Sequence, residues 1–329
     1  MRIFGLDFTS NPSKASNSSR RAKKLTLAKC VLDGEVLIVE ELVELNGPTD
    51  GDFSGFETWL QSEGRWASES EWVGGIDFPF GMPVEAVERF DWLKQSAGAT
   101  WEAYVSAIVD NAADIDAFRR ILEAWKKPSK SGKQERVFLL RRTDTLSSLA
   151  GARPSSPMKV HHQCNPAVGR MFFHGANRLR TSGVCVAPLR WNDCPRVVVE
   201  AYPRLVADKF VLGEKYKEQG DSSVTRNTIL TGLADSNPYG ITVRFANPAD
   251  RRACVDDELG DQIDSVLAAV QAGWSHVMEQ SECGSEPRAQ RYGIPVFSVP
   301  CMNNIVSLEG WIADPVSFQS SVSVHRYPA

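Results

Sequence analysis

Three stretches near the start of the chain alternate apolar and polar residues or run in β-branched ones, which is the pattern of strands with one buried face. They cover residues 2–9, 24–32 and 35–44. Asp33-Gly34 separates the last two stretches and predicts a tight hairpin turn. The chain therefore begins with three consecutive predicted strands.

Helical periodicity follows the third strand. Large apolar residues recur at three- and four-residue spacing, which predicts a short amphipathic helix over 52–62. A fourth strand is predicted over 71–76, and a second helix over about 84–95. The order βββαβα predicts a mixed sheet with helices packed against it.

The rest of the chain divides into further core elements and two additions. A long helix is predicted over 99–125, and the basic sequence after it, rich in proline, serine and glycine, lacks clean periodicity. A strand is predicted at 196–201, helices are predicted over about 204–219 and 257–280, and Asn247-Pro248 predicts a helix start. We therefore expect three parts. A discontinuous core covers 1–95 and 191–280, an insertion with helical and basic parts covers 96–190, and a C-terminal extension covers 281–329.

The composition is that of a globular protein, with 42% hydrophobic and 24% charged residues. No apolar run approaches the roughly 18 residues of a membrane span, and the chain opens on a strand rather than on the apolar segment of a secretory signal. Its seven cysteines are scattered without a C-x-x-C pair, which favours a reducing compartment. These features predict a cytoplasmic protein without membrane contact.

The net charge of −4 conceals a strong asymmetry along the chain. Between Lys126 and Arg190, thirteen lysines and arginines stand against two acidic residues, so this segment carries +11 and the remainder −15. Segregation on this scale indicates a surface that binds polyanions beside an acidic body.

Carboxylates stand at the ends of predicted strands and at the start of the last long helix. Asp7 closes the first strand, Asp77 follows the fourth, Glu200 ends a later strand, and Asp261 and Asp264 open the helix. Like charges at close range repel, so a cluster of these groups is best explained by a divalent cation.

The helix predicted over about 257–280 can be checked by the angular positions of its residues around the helix axis. At about 100° per residue, Asp257, Asp261 and Asp264 fall within one narrow stripe, whereas apolar residues such as Val266 and Trp274 fall on another face. The apolar face can pack on the sheet while the acidic stripe lies at its border. A structural explanation stays open, because acids near a helix start complement the helix dipole.

Each of the other acids also has a structural explanation. Asp7 and Asp77 could cap the following element through Asx-turns, and Glu200 could be a surface residue of an edge strand. Four acid-bearing elements in this order are harder to explain in that way than any single acid.

The motifs GLDFTS, GIDFPFGMP, VVVEAYP and DQIDSVLAAV resemble, in this order, the "domain of unknown function 429" family of predicted ribonuclease H-like nucleases. The helix motif is also similar to that of Holliday-junction resolvases of the same superfamily. The resemblance covers about 1–95 and 191–312, and it departs from the family at the basic insertion and at Ser265, where alanine is more usual. It implies an α/β, ribonuclease H-like fold with a mixed five-stranded sheet flanked by helices.

The resemblance further implies a nuclease that hydrolyses phosphodiester bonds with one or two Mg²⁺ or Mn²⁺ ions. Asp7, lying mid-sheet, would bridge the ions, and Asp77 or Glu200 together with Asp264 would complete the oxygen shell. Asp261 would be a further ligand or would orient one. Two ions about 4 Å apart would activate water for in-line attack and stabilise the leaving oxygen. Which of Asp77 and Glu200 contacts the metal stays open.

The basic segment offers candidate contacts to nucleic acid, DNA or RNA. Phe172 and Phe173 are available for stacking on unpaired bases, and a flexible solvated loop is the alternative. The residues expected to hold the phosphate backbone are Lys126, Lys127, Lys130, Lys133, Arg141 and Arg142.

Histidines in the same segment suggest two further roles. His161-His162-x-Cys164 resembles a zinc-ligand pair, but adjacent histidines point apart on a strand and no second ligand pair has suitable spacing. A local structural role is favoured for these residues. A role of His162 or His174 as a proton carrier or phosphate contact near the acids stays open.

Two other function classes remain as alternatives. An actin-like or sugar-kinase-like ATP-dependent phosphotransferase also begins with Gly-x-Asp-x-Ser/Thr, but it requires a duplicated half that the sequence does not display. A non-catalytic nucleic-acid-binding module of the same fold would not need the intact set of acids. The sequence leaves open whether the substrate is DNA or RNA, whether cleavage is endonucleolytic or exonucleolytic, and which oligomeric state the protein has.

Overall fold

The computed structural model of the protein describes most of the chain. The residues described are 1–9, 24–46, 52–89, 100–128, 134–147, 155–161, 164, 167–217, 222–281 and 291–318. Among them, no helix has both the length and the apolar character needed to cross a membrane.

Strands and helices are numbered here in chain order. The strands are β1 (Arg2–Asp7), β2 (Leu25–Asp33), β3 (Val36–Leu45), β4 (Trp72–Ile76), β5 (Lys126–Pro128), β6 (Gln134–Arg136), β7 (Cys185–Ala187), β8 (Arg196–Glu200) and β9 (Thr242–Phe245). The helices are α1 (Ser54–Gln61), α2 (Val84–Arg89), α3 (Trp101–Asn111), α4 (Ile115–Ala124), α5 (Arg142–Ser147), α6 (Val168–Thr181), α7 (Pro203–Ala207), α8 (Ser222–Ala234), α9 (Pro248–Asp256), α10 (Asp261–Ser281) and α11 (Pro300–Glu309). Two 3₁₀ turns lie at Gly64–Trp66 and Arg291–Gly293.

Most of the described strands form one mixed sheet, in the order β7-β8-β4-β1-β2-β3-β9. β1, β2 and β3 are antiparallel neighbours, whereas β4 runs parallel to β1 and β8 runs parallel to β4. The edge strands β7 and β9 run parallel to β8 and β3. β1 therefore lies inside the sheet, and the carboxyl ends of β1, β4 and β8 meet at one edge.

The predicted mixed α/β architecture is confirmed, but the predicted number of strands is wrong, because the sheet in the described part of the chain has seven strands rather than five. The two additional strands, β7 and β9, cover the edges and are three and four residues long. Strands this short hold too few positions for an alternating pattern to show. β7 also falls within the segment 96–190, so the predicted insertion contributes a strand to the sheet.

Two predicted helices are shorter in the structure. The helix predicted over 99–125 is divided into α3 and α4, because the Asp114 side chain accepts a hydrogen bond from the Ala117 N–H (2.7 Å) and starts a new helix. The helix predicted over 204–219 ends at Ala207, and turns follow it.

The last long helix starts later than the sequence predicts. Asp257 lies before α10 rather than in it, and its carboxylate accepts hydrogen bonds from the backbone N–H groups of Leu259 (3.1 Å) and Gln262 (2.9 Å). Asp257 therefore caps the helix, which leaves Asp261 and Asp264 in the first turn of α10.

Apolar side chains pack on both faces of the sheet. One face buries residues of α1, α3 and α6, among them Trp59, Trp101 and Phe172. The other face buries residues of α8, α10 and the C-terminal segment, among them Val266 and Trp311. The predicted insertion and the predicted extension are therefore both packed directly against the sheet.

Candidate metal centre

Three aspartates that are far apart in the sequence meet at the carboxyl edge of the sheet. Asp7 is the last residue of β1, Asp77 directly follows β4, and Asp264 lies in the first turn of α10. Each of them offers a carboxylate oxygen within 4.8 Å of the other two. Asp7 and Asp264 are buried, and Asp77 is partly exposed.

Residues without bulky side chains allow α10 to lie directly on β1 and β4. A Cβ atom on Gly5 would lie 2.0 Å from the carbonyl oxygen of Ser265, and one on Gly75 would lie 2.2 Å from that of Ala268. Neither strand has room for a side chain at these contacts, so glycine is required there. Because Ser265 directly follows Asp264, the same close approach brings that carboxylate to the strand ends.

Burial and mutual repulsion set the ionisation of the cluster. Burial, followed by the charge of Asp261, raises the pKa of Asp7 well above its usual range. Burial, followed by the charge of Asp264, raises the pKa of Asp77 to about 8. Asp261 is thus close enough to act on Asp7, although it lies outside the three groups within 4.8 Å.

Tyr216 and Lys217 contact the Asp264 carboxylate from the segment after α7. The Tyr216 hydroxyl donates a hydrogen bond to Oδ1 (2.8 Å), and the Lys217 ammonium forms an ion pair with Oδ2. Burial alone would lower the pKa of Lys217, but the charges around it, first that of Asp264, raise this pKa well above its usual value. The lysine is therefore positively charged and balances part of the negative charge.

The donor set fits a hard divalent cation. Mg²⁺ and Mn²⁺ prefer oxygen ligands at roughly 2.1 Å, so that opposite ligands of one ion lie about 4 Å apart. The oxygens of Asp7, Asp77 and Asp264 lie within 4.8 Å of one another, close to that spacing. Partial exposure of Asp77 leaves coordination positions for water and a ligand. These residues could therefore hold Mg²⁺ or Mn²⁺ after small side-chain adjustments.

An open cleft of about 240 Å³ lies beside the carboxylates. A smaller cavity of about 60 Å³ lies on the other side of Asp77 and reaches Glu200. Asp77 and Tyr202 line both spaces, so solvent or a ligand can approach the cluster there. The residues lining the open cleft are Asp77, Tyr202, Arg204, Tyr216, Lys217 and Asp264.

Glu200, another of the predicted acids, forms its contacts outside this cluster. It is buried at the end of β8, where its carboxylate accepts hydrogen bonds from both terminal nitrogens of Arg141 and from the Phe80 N–H (3.0 Å). Burial raises the pKa of Glu200, although the charge of Arg141 opposes this. Since Phe80 belongs to the loop that follows Asp77, Glu200 anchors that loop. The three groups within 4.8 Å include Asp77 and not Glu200.

Arg141 connects this carboxylate to two other parts of the chain. It donates hydrogen bonds to the Asp144 carboxylate and to the Glu309 carbonyl (2.7 Å). Ala313 N–H in turn donates to the Glu200 carbonyl (2.9 Å). The insertion, β8 and the C-terminal segment are thus joined at one buried point.

The predicted phosphate contacts occupy different environments. Arg141 is 2% exposed, so its guanidinium is not available to a phosphate backbone. Arg142 is exposed and ion-paired with Glu85 (3.0 Å). Lys126 and Lys127 are exposed on β5, and Lys130 and Lys133 lie outside the described residues.

The aromatic and histidine candidates are largely internal. Phe172 is buried and so is not available to a base, and partly buried Phe173 already stacks on Phe118 (5.2 Å between ring centroids). His174 stacks on Phe53 (5.2 Å), and burial followed by the charge of Arg178 lowers its pKa to about 4. That environment is a poor one for a proton carrier at neutral pH.

Within the described residues, the zinc-ligand candidates His161 and Cys164 belong to no group of three or more possible metal ligands. The backbone N–H of Cys164 donates to the His161 carbonyl (2.8 Å), which is a local turn contact. His162 lies outside the described residues.

Sequence reasoning missed Tyr202, Arg204, Tyr216 and Lys217, which line the cleft. Tyr216 and Lys217 were missed because a helix was expected over 204–219, and helical spacing would point these two neighbours in different directions. The Tyr-Lys pair between a predicted strand-end acid and the acidic helix was the available signal.

Comparisons of the chain with models of protein families, with curated protein sequences and with solved structures found no match. The resemblance based on the short motifs therefore stays a prediction. The strands in the described part of the chain form the seven-stranded sheet and the β5-β6 hairpin, without the duplicated half that an actin-like phosphotransferase requires.

Proposed function

We propose that this chain is a divalent-metal-dependent nuclease of the ribonuclease H-like kind, which hydrolyses phosphodiester bonds. The observation that carries the proposal is the approach of Asp7, Asp77 and Asp264 to within 4.8 Å at the carboxyl edge of the sheet. Three carboxylates this close, beside an open cleft, match the oxygen ligands that Mg²⁺ and Mn²⁺ prefer.

The arrangement of the elements supports the same proposal. β1, β2 and β3 are antiparallel neighbours in chain order, and β4 and β8 continue the sheet in parallel on the other side of β1. α10 packs across β1 and β4 and carries the Asp-x-x-Asp motif. An acid on a central first strand, another after the fourth strand and two on the last long helix are what the motif resemblance implies.

The residues of the site have different tasks in this proposal. Bound metal ions would activate a water molecule and stabilise the leaving oxygen. Asp7 and Asp264 are positioned by the strand and the helix, and Asp77 lies with Asp264 on the cleft where a substrate would enter. Tyr216 holds the orientation of the Asp264 carboxylate through its hydrogen bond (2.8 Å). Asp261 supplies further negative charge beside Asp7.

Glu200 and Arg141 act on the position of Asp77 rather than on the metal. Through the Phe80 N–H, Glu200 holds the loop that begins at Asp77. We therefore propose Asp77, of the two alternatives, as the ligand. Glu200 is proposed as a residue that keeps this ligand in place.

Nucleic acid as the substrate is supported by the charge distribution. The segment from Lys126 to Arg190 carries a net charge of +11, and Lys126 and Lys127 are exposed. Exposed cations in a protein with a metal-dependent hydrolytic site favour a phosphate backbone as ligand.

A cleavage panel tests the proposal. Single-stranded, duplex, hybrid and branched substrates are incubated with Mg²⁺, Mn²⁺ or EDTA, using the wild-type protein and the Asp7→Asn and Asp257→Asn variants. We expect metal-dependent cleavage that Asp7→Asn reduces by more than the 10–100-fold typical of residues that only support a ligand. Asp257→Asn is the matched control, because asparagine can still cap α10.

Cleavage that persists in EDTA, or that Asp7→Asn leaves unchanged, would contradict the proposal. Metal-dependent hydrolysis of ATP without cleavage of any nucleic acid would instead favour the phosphotransferase class.

A further inference from the structure

A positive side chain of the protein already lies among the carboxylates. The Lys217 ammonium forms an ion pair with Oδ2 of Asp264, whose other oxygen is occupied by the Tyr216 hydroxyl. The charge of Lys217 also acts on Asp7 and Asp77, since it opposes the rise that burial causes in their pKa values. One ammonium thus contacts Asp264, and its charge also reaches the other two candidate ligands.

The Lys217 side chain reaches Asp264 across the start of α10, where the backbone leaves room for it. Gly260 precedes the helix with φ = +73°, and a Cβ atom there would lie 2.9 Å from Cγ of Lys217. Any other residue would require a left-handed backbone conformation and would press against the lysine. The local backbone is therefore shaped to let this side chain pass.

The Lys217 side chain is only partly enclosed. It is 43% exposed, whereas that of Asp264 is 1% exposed. Lys217 also lines the open cleft of about 240 Å³, which gives its side chain room to move off Asp264. The side chain can therefore leave Asp264 without rearrangement of the sheet or of α10.

We propose that Lys217 is a built-in counter-cation, whose ammonium holds the place of a divalent ion at Asp264 in the metal-free protein and is displaced when that ion binds. An ammonium and a divalent cation repel strongly at contact distance, and they compete for the same oxygens. Metal binding at this site is therefore an exchange of cations. The inference rests on the proposed function only in that the three aspartates bind a divalent ion.

The first test measures Mn²⁺ binding without nucleic acid, by electron paramagnetic resonance of the free ion at about pH 8.5. We expect Lys217→Met to bind Mn²⁺ about tenfold more tightly than wild type, which corresponds to ~1.4 kcal/mol. Lys217→Arg keeps the charge and should stay near the wild-type affinity. The matched control is Lys215→Met, the same change at an exposed lysine two positions earlier.

Affinity that is unchanged or weaker in Lys217→Met would overturn the inference. The same variant should also be less stable without metal, because its carboxylates lack their counter-charge. Thermal unfolding of both proteins with and without Mg²⁺ therefore gives a second measure of metal binding, which allows for this difference in stability. A larger metal-induced rise in melting temperature than in wild type supports the inference, and an equal or smaller rise contradicts it.

The second test follows the amine itself in the wild-type protein. Brief acetylation, quantified by mass spectrometry at each lysine, is compared with and without saturating Mg²⁺. Displacement from Asp264 should increase the labelling of Lys217 relative to that of Lys215. Equal labelling of Lys217 in the two conditions would show that the ammonium stays on the carboxylate.

The failure of this inference and the failure of the proposed nuclease have different signatures. Mn²⁺ binding that is lost in Asp264→Asn, with tighter binding in Lys217→Met but no cleavage of nucleic acid, would retain the inference and reject the nuclease. Metal-dependent cleavage combined with unchanged binding in Lys217→Met would reject the inference alone.

Discussion

At the scale of single residues, Asp77 lies between a buried interior and an open cleft. Its pKa is raised to about 8, first by burial and then by the charge of Asp264. At neutral pH the metal-free protein therefore holds a proton on this carboxyl, which a metal ion bound there would have to displace.

We expect the apparent affinity for Mn²⁺ to decrease by up to about tenfold for each pH unit below 8, because the ion competes with that proton. Calorimetric titrations between about pH 6.5 and 8.5 would measure the slope. Affinity that is independent of pH over this range would contradict the prediction.

The same proton, which weakens metal binding at low pH, stabilises the folded protein there. A carboxyl whose pKa is raised on folding binds its proton more tightly in the folded state, so its contribution to stability is present at low pH and is lost as the pH rises through about 8. Metal-free protein should therefore melt at a lower temperature at about pH 8.5 than at about pH 6.5. Scanning calorimetry measures this difference. Asp77→Asn should make it smaller, and an unchanged difference would argue against Asp77 as its source.

Loss of the buried ion pairs of Arg141 should lower the free energy of unfolding more than a change in the protonation of Asp77. Replacing Arg141 by methionine would leave the carboxylates of Glu200 and Asp144 buried without their partner. We expect a loss of about 3–5 kcal/mol in the free energy of unfolding, measured by denaturant titration. Adding Glu200→Gln to this variant should recover part of the loss, whereas Arg142→Met, at an exposed neighbour, should cost less than about 1 kcal/mol.

The sequence was sufficient to place some of these residues, but the predicted environments of others were wrong for a physical reason. The positions of Asp7, Asp77 and Asp264 follow from local patterns, namely strand ends that meet at one edge and a helix start. The environments of Glu200 and Arg141 depend on partners that are distant in the sequence, which no local pattern reveals. The basic character of Arg141 suggested a surface contact, although its charge neutralises buried acids.

At the scale of elements, the site depends on how closely α10 approaches the sheet. The two glycines of β1 and β4 that face the helix let its backbone lie directly on theirs. A methyl group at either position would have to push the helix, and Asp264 with it, away from the strands.

We expect Gly75→Ala to destabilise the protein by about 1–3 kcal/mol and also to weaken Mn²⁺ binding, because the added Cβ would meet the carbonyl of Ala268 at 2.2 Å. Gly74→Ala is the matched control, since its Cβ would meet Trp59 on the other face (3.1 Å). Denaturant titration and Mn²⁺ titration of both variants separate the effects. A loss of metal affinity in Gly74→Ala equal to that in Gly75→Ala would contradict the argument.

Strands of five or more residues were predictable from the sequence, and shorter strands were not. β1, β2, β3 and β4 repeat a pattern over five to ten residues, and the structure has each of them within about two residues of its predicted bounds. The segment after α7 was expected to be helical, but it forms turns that bring Tyr216 and Lys217 to the cleft. Tertiary contacts to Asp264, rather than local propensity, hold it there.

At the scale of the whole molecule, much of the excess positive charge serves internal contacts. Arg136, Arg142 and Arg178 form ion pairs with Glu123, Glu85 and Glu57. The charge asymmetry along the sequence therefore overstates the free positive surface. Of the described candidates for phosphate contact, Lys126 and Lys127 keep exposed positions on β5.

We expect the double change Lys126→Glu and Lys127→Glu to weaken binding of nucleic acid, and to make the dependence of log affinity on log salt shallower by roughly one for each lost phosphate contact. Fluorescence anisotropy at several salt concentrations, in Ca²⁺ or EDTA to prevent cleavage, measures both quantities. Arg244→Glu, at an exposed position of the distant edge strand β9, is the control. Equal losses in the two variants would indicate a general charge effect rather than a contact of β5.

The junction of Arg141, Glu200 and Glu309 has a consequence for synthesis of the chain. The loop that begins at Asp77 is secured by contacts that involve residues 309–313, which leave the ribosome after every other part of the site. A nascent chain therefore carries all of its acidic ligands before it can hold them in register. If the proposed activity extends to RNA, a nascent chain cannot cut the messenger that encodes it until residues 309–313 have left the ribosome.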